Sequence, residues 1–196
     1  MPTDLSICNG ALLKIGVPTI QSLSEGTREA KACNSEFSKA RQYVLRLYPW
    51  GFASRRTILA PLPEAPAFEY DYQLQLPSNL LRIVELVDYS GPHKVEGSVL
   101  LANSDIIYLK YVEDTIDITN ADSLFTEALE WYLGYMLARY LTESETARAE
   151  AFQGFKNTMP MAKFVQSTEN SQPTFESYDL IGARTSLGRY VRDPGT

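Results

Sequence analysis

Thr27-Arg28-Glu29-Ala30-Lys31-Ala32-Cys33-Asn34-Ser35-Glu36-Phe37-Ser38-Lys39-Ala40-Arg41-Gln42-Tyr43-Val44-Leu45-Arg46-Leu47-Tyr48-Pro49-Trp50-Gly51-Phe52 is the stretch on which the fold turns. Ala30, Cys33, Phe37, Ala40, Val44 and Leu47 recur at alternating steps of three and four. That period puts them on one stripe of a helix. Thr27 is suited to cap the helix start, and Glu29 sits where the helix dipole favours a carboxylate. Pro49 stops the helix, because its ring is incompatible with the preceding turn. Trp50-Gly51-Phe52 then makes an aromatic corner.

Upstream, Leu5, Cys8, Leu12 and Ile15 form a second apolar stripe from about Asp4 to Ile15, with Thr3 as its cap. Gly16 stops this helix and Pro18 keeps it stopped. The two helices are expected to meet as an antiparallel hairpin.

Downstream, the period changes to two. Thr57-Ile58-Leu59-Ala60 reads as a short strand. Tyr70, Tyr72, Leu74 and Leu76 alternate with Asp71, Gln73 and Gln75, the mark of a half-buried strand. Leu81 to Tyr89 reads as another strand, and Ser90-Gly91-Pro92-His93 as a turn. Val99–Ala102 and Ile106–Val112 are predicted to form a hairpin through Asn103-Ser104-Asp105. Helical pattern returns near Ser123, where Phe125, Ala128, Leu129, Tyr132, Tyr135 and Met136 share a face widened by Leu124, Trp131 and Ala138. Such a broad apolar surface marks a central helix. Thr142-Glu143-Ser144-Glu145 reads as a capping box opening a last helix, which Pro160 should kink or break.

The expected fold is therefore α+β: an antiparallel helical bundle of about four helices, an inserted antiparallel β-sheet region and an extended C-terminal tail. The divisions are 1–54 for the helical hairpin, 55–121 for the β-rich insertion, 122–166 for the closing helices and 167–196 for the tail. The tail shows no period. Yet Phe175, Tyr178, Leu180, Ile181, Leu187 and Tyr190 are too apolar for a solvated linker, and Arg184, Arg189 and Arg192 accompany them. These residues are candidate docking anchors on a partner or a neighbouring copy.

Composition narrows the function. A formal charge of −6, with no long Lys/Arg run, argues against specific nucleic-acid binding. Two cysteines, Cys8 and Cys33, and one histidine, His93, cannot supply the four N/S ligands of a structural zinc site. Both cysteines fall at apolar helical positions and read as small core residues. Met1-Pro2-Thr3-Asp4-Leu5 carries no basic region before an apolar run, so no signal peptide is expected, and no apolar stretch is long enough to span a membrane. The 12 tyrosines include several at alternating strand positions, suited to a core rim or a subunit interface.

No catalytic motif emerges. GxSxG, GxxxxGK[ST] and GxGxxG are absent. A Ser/His/Asp triad would have to use His93, which sits in a polar turn. Glu113, Asp114 and Asp117, and then Glu143 and Glu145, offer paired carboxylates of the kind glycosidases use. The first group reads as a solvated loop and the second as capping. EF-hand spacing is absent. No catalytic residue, metal ligand or cofactor is predicted.

Several ordered elements together resemble a family: the tail tubular protein A, or head-to-tail adaptor, family of short-tailed bacteriophages. They are Ala11-Leu12-Leu13-Lys14-Ile15-Gly16-Val17-Pro18-Thr19-Ile20 with Ser22-Leu23, and Glu25-Gly26-Thr27-Arg28-Glu29-Ala30. Leu45-Arg46-Leu47-Tyr48-Pro49-Trp50-Gly51-Phe52-Ala53 follows, with Arg56 and Leu59. Next come Tyr70-Asp71-Tyr72, Leu76-Pro77 and Leu81-Arg82. Ile107-Tyr108-Leu109-Lys110-Tyr111 and Phe125-Thr126-Glu127-Ala128-Leu129 complete the set, which spans roughly residues 5 to 165. The Tyr-Pro-Trp-Gly-Phe corner is the most specific element, and Pro160 departs from the unbroken helix expected there.

The resemblance implies a structural virion protein of the tail or neck, made in the host bacterial cytoplasm. It implies a homododecameric ring that binds the portal protein and a tail nozzle of tail tubular protein B type, with double-stranded DNA passing through the lumen and no membrane contact. Gly16, Pro18, Pro49, Trp50 and Phe52 are the scaffold residues of that reading. Two rivals remain: a small cytosolic binding module, and a tail-associated glycan hydrolase.

Overall fold

The computed structural model describes residues 2–115 and 117–170. They form an α+β fold of four α-helices and two small antiparallel sheets. Helix α1 spans Asp4–Lys14, α2 Arg28–Leu47, α3 Ser123–Leu141 and α4 Glu145–Asn170. Six strands lie between α2 and α3: β1 (Ser54–Leu59), β2 (Tyr72–Gln75), β3 (Leu80–Val87), β4 (His93–Glu96), β5 (Val99–Ala102) and β6 (Ile107–Glu113).

The helix ends follow local chemistry. Thr3 accepts from the Ser6 amide while Ser6 Oγ accepts from the Thr3 amide, a reciprocal cap on α1. At its other end Gly16 has φ +71°, and the amides of Gly16 and Val17 return to the carbonyls of Leu13 and Leu12. This is a Schellman turn, and its left-handed residue is most easily a glycine. Pro18 follows, exposed in the loop. Asn9 holds that loop by pairing both its amide groups with the backbone of Ile20. Thr27 caps α2 by accepting from the Ala30 amide.

Helix α3 is the hub, touching α1, α2 and α4. Phe125, Ala128, Leu129, Leu133 and Leu137 are wholly buried along it. A Cβ built on Gly134 would lie 3.2 Å from the Ala11 carbonyl oxygen, so the bare glycine sets how closely α1 and α3 approach. The expected α1–α2 hairpin is not the main contact. These two helices touch only slightly and are joined chiefly through α3, because the Ile7–Cys8–Ala11–Leu12 stripe of α1 faces the same core as α3.

The predicted Thr142–Glu145 capping box is displaced. Ser144 caps α4, accepting from the Ala147 amide, and Thr142 Oγ1 accepts from the Ser144 amide. Nor does Pro160 break α4, which runs through it to Asn170, past the 166 boundary drawn from pattern. Ala151, Phe155, Met159 and Ala162 continue as one buried stripe. Pro160 and Lys156 both lie on the exposed side. The carbonyl that loses its helical donor is therefore open to water, so the missing bond costs little.

The sheets have orders β1-β6-β3 and β2-β5-β4. The predicted hairpin between Val99–Ala102 and Ile106–Val112 does not form. Strand β5 pairs with β2 and β4, while β6 pairs with β1 and β3. Ser104 Oγ donates to the Ile106 carbonyl, holding a turn after which the chain crosses from one sheet to the other. The true hairpin is β4–β5, through Gly97 at φ +58°. Its first strand begins at His93, the last residue of the Ser90–His93 stretch that reads as a turn. Leu59, Ile107, Leu109 and Tyr111 of one sheet and Leu74, Leu100 and Ala102 of the other share one apolar cluster. A separate cluster fills the helical body and takes in Val112 at the end of β6.

Candidate functional site

The corner after α2 is a joint between the helical body and the sheets. Pro49 ends α2 and is half-buried. Trp50 is fully buried, and its Nε1 donates to the Val44 carbonyl over 3.0 Å, one of the end-of-helix carbonyls left without a helical donor. Its ring stands edge-on to Phe125 at 5.0 Å and to Tyr48 at 5.5 Å. Phe52, half-buried, also packs edge-on to Phe125 at 4.9 Å. The Gly51 amide donates to Gln166 Oε1 over 3.0 Å, adding α4 to the joint. One five-residue segment thus touches α2, α3, α4 and the start of β1.

The carboxylates separate into different roles. Asp114 accepts from Arg41 Nη2 at 3.0 Å and from Gln42 Nε2 at 2.7 Å, which ties the end of β6 to α2. Glu113 is paired with Arg55 Nε at 2.7 Å and also accepts from Asn79. The expected solvated acidic loop is instead a partly buried polar seam: the Asp114 and Glu113 side chains are 24% and 21% exposed. Arg41 also faces Asp4, whose carboxyl burial pushes up while the guanidinium opposes the shift. Asp117 is exposed, and its carboxyl is held below the ordinary value by the hydroxyl and amide of Thr119. Glu143 sits at φ +51° in the α3–α4 turn, and Glu145 opens α4 beside Arg148. These two groups are not brought into a common cleft with the Glu113 group by any contact among the described residues.

His93 lies exposed on β4, where Nδ1 is 3.3 Å from the Gly91 carbonyl. Cys8 and Cys33 are both wholly buried free thiols, hydrogen-bonded to each other across α1 and α2. That bond and burial push the Cys8 thiol up. Among the described residues, no group of three or more His, Cys, Asp or Glu is placed to hold a metal ion, and no helix is long and apolar enough to cross a membrane.

The outer face of the β1-β6-β3 sheet is a feature the linear pattern hides. Register aligns Ile58, Tyr108 and Val87 across the three strands, and Arg56, Lys110 and Glu85 in the next row. Ile58 is 62% and Tyr108 49% exposed. With Thr57, Asp88 and Leu109 these residues line an apolar hollow of about 330 Å³. A second groove, bounded by Tyr48, Pro49, Arg55 and Glu85, adjoins it at Arg56 and Lys110. The alternation in Ile107–Val112 does put Tyr108 and Lys110 opposite the core. It cannot disclose that Ile58 and Val87 flank them.

The candidate docking anchors Phe175, Tyr178, Leu180, Ile181, Arg184, Leu187, Arg189, Tyr190 and Arg192 lie outside the described residues. The chain matches no protein-family model, and no curated protein is similar enough to match it.

Proposed function

We propose that this chain is a structural connector: a head-to-tail adaptor of a short-tailed bacteriophage, joining portal to tail nozzle as a homododecameric ring around the DNA exit channel. The observation that carries the reading is the Tyr48–Phe52 corner. It is the most specific element of the resemblance, and its side chains and backbone together couple three helices to a sheet, the kind of joint a load-transmitting subunit needs.

In this proposal the helices act as an antiparallel bundle and form the ring wall. Each subunit meets its neighbours through two different surfaces, so that rotation closes the ring. The β-rich region faces the nozzle. The C-terminal tail, from about Pro173, docks on the portal or an adjacent subunit, with Phe175, Tyr178, Leu187 and Tyr190 as apolar anchors. No catalytic step or cofactor is involved. The engagement of Asp114 by Arg41 and Gln42, and of Glu113 by Arg55 and Asn79, supports that choice, since it commits both partly buried carboxylates of the acidic group to a structural seam.

Particles assembled without the protein test the reading. The expected product is DNA-filled heads that carry no nozzle. Infectious particles with complete tails would refute it. Truncation after Gln172 tests the tail separately: assembly onto portal should weaken, and wild-type affinity would remove the tail from the proposal.

A further inference from the structure

The chain carries an apolar knob on an acidic loop and an apolar hollow on the face of the β1-β6-β3 sheet. The knob is Phe68, at the tip of the long β1–β2 loop and 74% exposed. Its segment, Glu64-Ala65-Pro66-Ala67-Phe68-Glu69-Tyr70-Asp71, holds three acidic residues and no basic one. Glu69 adopts φ +72°, a left-handed backbone that turns the chain sharply just after Phe68. Lys94 lies near Glu69 but is already bonded to Glu96 at 2.7 Å. Glu64 and Glu69 form no ion pair among the described residues.

The hollow is the one between Ile58, Tyr108 and Val87. An apolar cavity of roughly 150 Å³ accepts a benzene ring, so about 330 Å³ admits a phenyl side chain with room for its neighbours. Arg56, Lys110 and Asp88 are its charged lining residues. Lys110 is paired with Glu85 at 2.6 Å, whereas Arg56 has no ion-pair partner among the described residues. An uncovered apolar surface of this kind, with an unpaired cation at Arg56, fits an apolar group that brings a carboxylate to that cation.

We propose that the hollow receives Phe68 of a second copy of this chain, with Glu69 or Glu64 of that copy meeting Arg56. Because knob and hollow lie on different surfaces, the contact is heterologous, and every subunit keeps one of each free for the next. This deepens the connector reading and rests on it, by naming the two faces through which neighbours in the ring meet.

Site-directed disulfide trapping tests the contact in the full chain. Cys8 and Cys33 are wholly buried, so introduced cysteines on the surface dominate oxidation. Phe68→Cys and Tyr108→Cys proteins are mixed and oxidised with copper-phenanthroline in air. The expected result is a covalent dimer forming about tenfold or more faster than from Phe68→Cys mixed with Leu13→Cys, because docking raises the local thiol concentration. The double variant Phe68→Cys/Tyr108→Cys should give a ladder of multimers. Glu69→Arg should slow trapping, and adding Arg56→Glu on the hollow-bearing chain should restore it. Equal rates for the test and control pairs, or a double variant that closes only within one chain, overturn the proposal. Trapping needs no portal. A chain that fails to trap yet joins portal therefore removes this contact alone, and one that traps yet ignores portal removes the connector reading alone.

Discussion

Arg41 and Asp114, on α2 and just beyond β6, are joined by a 3.0 Å charge-assisted hydrogen bond that ties helical body to sheet. The Arg41 side chain is 6% exposed, and its Nε is buried with no hydrogen-bond partner among the described residues. Solvent screens this guanidinium weakly, and it depends on Asp114 for compensation.

Asp114→Ala should therefore destabilise by about 2–4 kcal/mol, the cost of stranding a buried charge less the partial exposure of the aspartate. Denaturant titration checks it: the midpoint should fall with little change in slope. Replacing both partners with apolar residues, as Arg41→Met/Asp114→Leu, should cost less than Asp114→Ala alone.

Trp50→Ala should cost about 3–5 kcal/mol, through loss of a buried ring and the void it leaves. Trp50→Phe keeps a ring against Phe125 but leaves the Val44 carbonyl without its indole donor, so about 1–2 kcal/mol should still be lost. Thermal unfolding of the two variants separates the packing and hydrogen-bonding parts.

Gly134→Val should weaken the α1–α3 contact by about 2–4 kcal/mol, because backbone, which cannot rotate away, lies 3.2 Å from the added Cβ. The same change at Gly26, where nothing lies within 4 Å of an added Cβ, is the control and should be far milder. Calorimetry of both gives the comparison.

Stability should also fall in alkali. The Tyr111 and Tyr132 phenols are pushed up chiefly by burial. A group raised in the folded state stabilises fully below its unfolded value and loses that contribution as pH climbs through the folded one. The decline should begin near the unfolded phenol value of about 10. Tyr132→Phe should flatten part of the curve. A pH-independent melting temperature up to pH 11 or so would contradict this.

Local order was legible wherever one residue's neighbours in sequence are also its neighbours in space. The three-four stepping from Ala30 to Val44 marks α2, and Thr3 and Thr27 mark helix starts. Partnerships between distant segments were not. Alternation in Val99–Ala102 and Ile107–Val112 reveals two strands but not that they belong to different sheets. The β4 strand, exposed at all four positions, carries no burial signal at all. Asp114 looked like a solvated loop acid because Arg41, its partner, lies 73 positions earlier. The Ile58–Tyr108–Val87 hollow exists only through register. Pro160 misleads for a different reason: its penalty depends on which side of the helix faces water.

The proposal that copies of this chain fit against each other and against a portal is tested most directly by light scattering on the eluting complex, for the chain alone and mixed with the portal protein of the same virus. The expected result is a mixed species whose mass equals the portal ring plus a full ring of this chain. Separate elution of an unaltered portal and a monomeric chain, at every concentration and mixing ratio, would contradict it.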